Sequence, residues 1–567
     1  MINALTDKYV GKLLAYGSFL TTILVVSGVV TDPVNTPKFL IIGILGCSTF
    51  AIFLTSNMKR TFYEDKLLLA LIIFFVGSLV VSSILSESPK SQIFYGVYGR
   101  NNGLLTYIFL TMIMIVAASL NSVSSFNYIV RALVFAGLIN IAYCAWVLLF
   151  GDFVGWNNPY GNILGTFGNP NFIGAFLGIF FSTSVAIVCD SSVQKRLRIL
   201  FSLLLPICAY EIIESSAIQG RVVAAFGTAF VIYLYLRSRF SKMIQSIYLI
   251  VCGILGSLAV GGALQIGPLT SFIYKNSVSL RGQYWLAAWN TGNAHPFSGV
   301  GMDGFGDWYR RMRDAHALEI PGVNTVVNAA HNVPLDLFAF GGWPLLIGYV
   351  SILIYAGSSM IKVIRSAKEF NYVFGVISAA WLGYQLQSII SINQIGLAVW
   401  GWVLSGILIG YEKSRRIKEF TEIASKGKQN KARSNYNKNL PAQTPLVAGL
   451  GAVIGLLLAL PPLTADALWR SSQTQQKLTL LEQTMKPGYF NPPNAMKFQL
   501  NVQTLEQSSL FDLSRKYALE AIKWNPDNFD SWKVLYYIKN STNNEKELAL
   551  ANMRRLDPLN PELKLLK

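Results

Sequence analysis

Charge is what this sequence has least of. Only 13% of its 567 residues are Asp, Glu, Lys or Arg, against roughly 25% in a soluble domain. That excludes a water-soluble enzyme and a disordered chain. Cysteine is equally sparse: Cys47, Cys144, Cys189, Cys208 and Cys252 all fall in apolar runs. A disulfide scaffold is thereby excluded, and no cysteine pair has metal-ligand spacing. Histidine occurs three times. In their place stand 52% hydrophobic residues and a mean hydropathy of +0.42, the composition of a polytopic membrane protein. The net charge of +18 does not indicate a nucleic-acid partner. Most of the basic residues sit in short segments between apolar runs, which is how positive-inside topology is written.

A span needs about 20 apolar residues. Candidate spans lie near 13–30, 37–56, 67–86, 104–120, 127–150, 170–189, 199–218, 221–236, 243–262, 343–361, 371–390, 394–411 and 446–463. The expected fold is an all-α polytopic membrane protein of about 12–13 transmembrane helices, with a large external loop carrying short helices and a C-terminal extracytoplasmic α-helical repeat region. Lys8, Lys12, Lys59, Arg60, Lys66, Lys195, Arg196, Arg198, Arg237, Arg239, Lys242, Lys362, Arg365 and Lys368 fall on one face, with the basic run 412–440 from Lys413 to Lys438. This is the expected cytoplasmic face. It places the N-terminus inside and, with an odd number of spans, the C-terminus outside. The first span has no small-residue cleavage site and reads as a retained anchor. Four regions follow: spans in 1–262, a large loop in 263–342, further spans in 343–463 around the basic segment, and a tail in 464–567.

All three histidines, His295, His316 and His331, lie in the loop, with Arg281, Arg310, Arg311 and Arg313. The tail is different. Leu513, Tyr517, Ala518, Ala521 and Ile522 recur at helical spacing. Asn525-Pro526-Asp527-Asn528 is followed about 32 residues later by Asp557-Pro558-Leu559-Asn560-Pro561, so the tail resembles tetratricopeptide repeats of near-34-residue period. Two such units are fewer than an independent solenoid needs, so the tail is expected to pack on the loop or to continue with helices from 466–486. It offers a protein-binding surface or, alternatively, a passive cap on the loop.

Four constellations carry possible chemistry. In the first, Glu211, Glu214, Gln219 and Arg221 interrupt two apolar runs with no room for a long loop, at a cost of about 2.5–3.5 kcal/mol for each ionised group at mid-membrane. Arg221 either presents a cation at the outer membrane edge or pairs internally with Glu214. The second is Tyr95-Gly96-Val97-Tyr98-Gly99-Arg100-Asn101-Asn102-Gly103. Its glycines allow close approach, and Arg100 offers a fork that matches phosphate oxygens; the alternative is a loop arginine at headgroup level. The third, Gly168-Asn169-Pro170-Asn171, is a turn in which Asn171 caps the next helix, or in which Asn169 and Asn171 contact a sugar.

The fourth is in the loop: Arg281-Gly282-Gln283-Tyr284-Trp285 with Trp289, then His295-Pro296-Phe297-Ser298-Gly299-Val300-Gly301, then His331-Asn332 before Gly341-Gly342-Trp343. Histidine near its ordinary pKa is a competent general base, and arginines suit a polyanionic leaving group. The alternative for each histidine is a structural role. Asp303, Asp307, Asp314 and Asp336 are scattered and read as solvated or turn-forming.

In this order the motifs resemble the O-antigen ligase superfamily, which includes O-antigen ligases, O-antigen polymerases and O-linked oligosaccharyltransferases. The resemblance spans roughly residues 13–411. It implies metal-independent transfer of a glycan, without a cofactor, from an undecaprenyl-diphosphate carrier to the hydroxyl of a lipid or protein acceptor. It places the protein in a bacterial inner membrane with the loop in the periplasm. It makes His331 the base, and it makes Arg281 and Arg221 the groups that hold the diphosphate. Arg100, Asn332, Asn169, Asn171, Gln219 and Trp285 are the expected substrate contacts. The ligase pattern of His-Asn before Gly-x-x-Gly is broken here by Leu345 after Gly341 and Gly342, which leaves a polymerase as the nearest alternative. A solute transporter would place its polar residues at the bilayer midplane in repeated halves, and a scaffold would not need the arginine–histidine loop.

Overall fold

The computed structural model describes residues 4–156, 158–425 and 440–566, and their regular structure is helical apart from one isolated bridge. Where no water is available, a helix satisfies its own backbone polar groups, so apolar runs of this length become helices. In chain order these are α1 (Ala4–Ile23), α2 (Asn35–Thr55), the short α3 (Met58–Tyr63), α4 (Lys66–Leu85), the short α5 (Lys90–Tyr95), α6 (Leu104–Ala118), α7 (Val123–Phe150), α8 (Pro170–Cys189), α9 (Lys195–Glu214), α10 (Ile218–Arg239) and α11 (Lys242–Ala263). The loop holds α12 (Thr270–Ile273), α13 (Asn276–Ala294) and α14 (Phe305–Met312). The chain re-enters the bundle with α15 (Val333–Ser366), α16 (Tyr372–Ile389), α17 (Ile395–Ser425) and α18 (Gln443–Gln475). The tail is α19 (Leu478–Met485), α20 (Ala495–Gln507), α21 (Phe511–Trp524), α22 (Phe529–Tyr537), α23 (Asn543–Leu556) and α24 (Glu562–Leu565).

Every expected span overlaps a helix, 13–30 only in part. Among the described residues nine helices are long and apolar enough to cross a membrane, and α6 is a shorter apolar helix. Several boundaries differ from the sequence reading: α17 and α18 run well past residues 411 and 463, and α9 ends at Glu214 rather than 218. Two further differences have a visible cause. The first helix runs 4–23 rather than 13–30: Asp7 lies buried inside it and accepts from the Ser125 hydroxyl at 2.6 Å and the Asn121 amide at 2.8 Å. Its far end stops because the chain turns back, with the Val26 amide bonded to the Pro33 carbonyl at 2.9 Å. The helix of the 343–361 span begins at Val333 but is broken at Gly341–Gly342, where the backbone is not helical. Of the expected basic run, residues 426–439, including Lys438, lie outside the described residues.

The turns sort onto two ends. At the loop end, Asn35 donates to the Gly99 carbonyl (2.9 Å), Ser86 to that of Val300 (2.9 Å), Lys275 to that of Ser216 (3.0 Å) and Gln219 to that of Ile390 (3.2 Å). At the other end, Lys413 pairs with Asp65 (2.8 Å) and Arg237 donates to the Ile364 carbonyl (3.0 Å). All the expected site residues belong to the loop end. The tail folds around its own core of Phe498, Val502, Tyr517, Leu535 and Met553 as two helical hairpins, α20–α21 and α22–α23, and lies against the loop.

Candidate functional site

His331 stands just before α15 in a conformation that a side chain rarely adopts, φ 57°. Its neighbours explain how it is held. The Ala330 amide donates to Asp336 Oδ1 at 2.6 Å, so the first turn of α15 pulls the preceding residues back on themselves. Asn332 Oδ1 caps α15 by accepting the Leu335 amide at 3.0 Å. The Nδ1 of His331 lies 3.1 Å from the Ala329 carbonyl. A carbonyl oxygen only accepts, so Nδ1 carries the proton and in the neutral ring Nε2 keeps its lone pair.

One wall of the site is α13. The Tyr284 ring packs against the His331 ring with centroids 5.6 Å apart, and against Tyr309 of α14 at 6.0 Å. Arg281 lies one turn before Tyr284 on the same helix. Among the described residues the buried Trp285 Nε1 has no hydrogen-bond partner, while Trp289 stands half exposed against Phe338 and Trp343.

The turn 96–103 brings a second cation to His331, whose imidazole feels Arg100. Gly96 takes φ 82°, and a Cβ there would lie 2.7 Å from Asp303 Oδ2, so only glycine fits beneath that carboxylate. Asp303 Oδ2 accepts the Val97 amide at 2.6 Å and fixes the turn that presents Arg100. The guanidinium feels Asp303, Asp336 and Asp32. Among the described residues, however, neither Arg100 nor Arg281 makes an ion pair. Arg310, Arg311 and Arg313 are all matched by carboxylates of the tail.

These charges set the protonation states. Burial, then the Arg100 and Arg281 guanidiniums, push the His331 imidazole down to about 4, against the bond to Ala329, so the ring is neutral at pH 7. Burial lowers both Arg100 and Arg281 from their ordinary value. Asp303 is pushed up to about 6 by burial, opposed by the Val97 amide and Arg100. His295 sits against Trp308 at 4.5 Å and exposed His316 pairs with Glu319.

The remaining expected residues frame this centre. Arg221, in the first turn of α10, is exposed and among the described residues makes no ion pair with Glu214. Lys275 ties the turn before it to the start of α13. Gln219 is fully buried and tied to Ile390, and among the described residues its Oε1 has no partner. Asn169, not Asn171, caps α8: its Oδ1 accepts the Asn171 amide at 2.9 Å, because Pro170 takes the first helical position, and its Nδ2 reaches the Tyr160 hydroxyl at 3.2 Å. Asn171 lies inside the first turn.

Residues 201–350 match the family model described as O-Antigen ligase. The matched segment runs from α9 into α15 and contains Gln219, Arg221, Arg281, Trp285, His331 and Asn332; Arg100, Asn169 and Asn171 precede it. It supports the resemblance to the O-antigen ligase superfamily and a membrane glycosyltransferase-like role. No curated protein matches the chain.

Sequence reasoning missed three groups. Asp303 and Asp336 are buried parts of the site rather than solvated residues. Lys38, fully buried, donates to the Thr22 and Thr166 carbonyls at 2.8 and 2.6 Å, pinning the segment that leads to Asn169. The clue for Lys38 was a cation at the loop end of a span. For Asp303 it was a carboxylate between a glycine-rich turn and Gly304. Among the described residues no group of three or more His, Cys, Asp or Glu side chains is placed to hold a metal ion.

Proposed function

We propose that the protein transfers a glycan from an undecaprenyl-diphosphate carrier to an acceptor hydroxyl, in a bacterial inner membrane with the loop end facing the periplasm and the basic end the cytoplasm. The observation that carries this reading is a neutral histidine whose Nε2 keeps its lone pair, lying in the field of two arginines that among the described residues have no carboxylate partner. A site that leaves half-buried guanidiniums unpaired is suited to an anion that brings two negative phosphates with it.

In this mechanism Nε2 of His331 takes the proton of the acceptor hydroxyl. The acceptor oxygen attacks the anomeric carbon, and the bond from that carbon to the carrier's diphosphate oxygen breaks. Its electron pair leaves with the diphosphate, whose growing charge Arg100 and Arg281 stabilise. The proton on His331 then passes to solvent or to the departing phosphate. Arg221 extends the cationic edge toward the carrier, Trp285 and Asn169 line the approach of the sugar, and the tail's outward face serves a protein partner.

The test is a gel of surface and lipid-linked glycans from a deletion strain complemented with wild type or His331→Ala. A ligase variant accumulates long glycans on the carrier and loses them from the surface. Loss of the ladder, with single units still delivered, marks a polymerase of the same chemistry. Full rescue by His331→Ala overturns the catalytic reading and brings transport or scaffolding forward.

A further inference from the structure

The tail does more than cover the loop. Its Asp557 meets Arg313 at 2.7 Å and Arg310 at 3.0 Å, across 244 and 247 residues of chain, and the Asp557 and Arg313 side chains are both fully enclosed. Asp527 faces Arg311 at 3.6 Å, and the Arg310 guanidinium lies 4.1 Å from the Phe529 ring. Asn525 and Asn528 donate to Asp307 at 3.0 and 3.1 Å. Asp307, the three arginines and Tyr309 all belong to α14 or its immediate end. The same Asp307 accepts from Gln92 at 3.2 Å, and Gln92 also donates to the Asp303 carbonyl at 3.1 Å, beneath the turn of Arg100. The inner side of α14 presents Tyr309 to Tyr284, which packs on His331.

We propose that the tail is a fixed part of the transfer site: it holds α14 in the position that sets the Tyr309–Tyr284–His331 stack, and it cancels the α14 arginines so that they do not compete with Arg100 and Arg281 for an anionic donor. Asp557, Asn525 and Asn528 are positioning residues. The functional consequence rests on the transfer reading above; the coupling between tail and His331 does not.

Two physical points favour this over a passive cap. A cap needs apolar contact, whereas this interface buries guanidiniums, which is costly unless each is matched. The charge pattern is also selective. Unmatched, Arg310, Arg311 and Arg313 would offer a diphosphate a second cationic surface away from Nε2, and a donor held there would not react.

The test uses the full-length protein in detergent or nanodiscs, with Asp557→Asn and, as a milder variant, Asn525→Ala/Asn528→Ala. Carbethoxylation of His331 by diethyl pyrocarbonate is read by peptide mass spectrometry, with exposed His316 as internal reference, at temperatures well below each variant's Tm. Transfer kinetics are measured with a polyprenyl-diphosphate glycan. The expected result is His331 labelling raised several-fold in both variants. For Asp557→Asn, kcat falls about tenfold and donor KM falls with it, the signature of unproductive binding. If Asp557→Asn does not fold, the asparagine pair decides. Variants that lose Tm but keep wild-type labelling and kinetics overturn the proposal. A wild type without transfer activity sinks the transfer reading alone, since the labelling still reports the coupling.

Discussion

Asp336 Oδ1 receives the Ala330 amide at 2.6 Å, and through that one bond the start of α15 dictates the backbone of His331. Removing the carboxylate strands a buried amide, at about 1–3 kcal/mol, and lets His331 relax from its φ of 57°. Asp336→Ala is expected to lose transfer at least tenfold, while Asp336→Asn, which keeps an acceptor oxygen, retains most of it. A transfer assay with both variants checks this, and equal loss in the two would point to charge rather than to the hydrogen bond.

His331 makes a pH prediction with a definite sign. Its folded pKa of about 4 lies below the ordinary histidine value of about 6.5. The unfolded chain therefore takes up a proton between these values while the folded protein does not, and stability falls as pH drops from about 6.5 toward 4. His295 is shifted the same way by its burial, so His331→Gln is expected to reduce the acid sensitivity without abolishing it. Thermal unfolding of wild type and variant between pH 7 and 4 is the measurement. On the proposed transfer chemistry, His331→Gln is expected to abolish transfer while donor binding persists.

Arg100 and Arg281 are expected to need their fork and not only their charge. Replacement by Ala should cost about 2.7–4 kcal/mol of barrier each, the range for removing one preorganised donor. Replacement by Lys should recover part of that loss. The same substitutions at Arg310 act instead through the tail, so they lower Tm as well as rate. Comparing kcat and Tm across the set separates the two groups.

The spans were legible because their signal is redundant. Twenty apolar residues at a stretch have few alternatives, and breaks such as Gly168-Asn169-Pro170-Asn171 mark the turns. Arg100, Arg281 and His331 were legible as chemistry-bearing types in glycine-rich or aromatic settings. What was not legible was pairing at long range. Nothing local marks Asp557 as the partner of Arg313, and the glycine-rich setting of Asp303 does not say that it staples the Arg100 turn, because both contacts arise only after helices distant in sequence have packed. The cap at Asn169 was misplaced onto Asn171 for a local reason that was readable: Pro170 suits the first helical position, which makes the residue before it the cap.

Breaking the buried Arg313–Asp557 pair by removing one partner should destabilise the tail–loop interface by about 3–5 kcal/mol, because it leaves an uncompensated guanidinium. Replacing both, as in Arg313→Met with Asp557→Leu, should recover only part of this, because Arg310 loses the same carboxylate at 3.0 Å and keeps Asp530 at 3.7 Å. Limited proteolysis of the tail at its exposed turns reads the difference directly: rapid release of the tail in the Asp557→Leu single variant and intermediate protection in the double.

The last prediction concerns how the tail is carried. Helix α18, which leads into it, lies against α2 through glycines: a Cβ at Gly455 would meet the Gly43 carbonyl, and one at Gly451 would lie 2.5 Å from the Cys47 carbonyl. Small residues four apart let membrane helices approach closely, and at the loop end α18 then bonds through Asp466 to the Asp32 amide at 2.8 Å and the Tyr98 hydroxyl at 3.0 Å. Tyr98 belongs to the Arg100 turn, so the α2–α18 contact supports the site as well as the tail. Gly455→Leu forces the helices apart and should cost about 1–3 kcal/mol from overpacking, with activity lost beyond what stability explains. Gly449→Leu is the control, since nothing lies within 4 Å of a Cβ there; it adds apolar surface on the same helix without touching α2. Tm and transfer rate of the two variants decide the point: equal behaviour would mean that the close approach of α18 to α2 contributes nothing to the site.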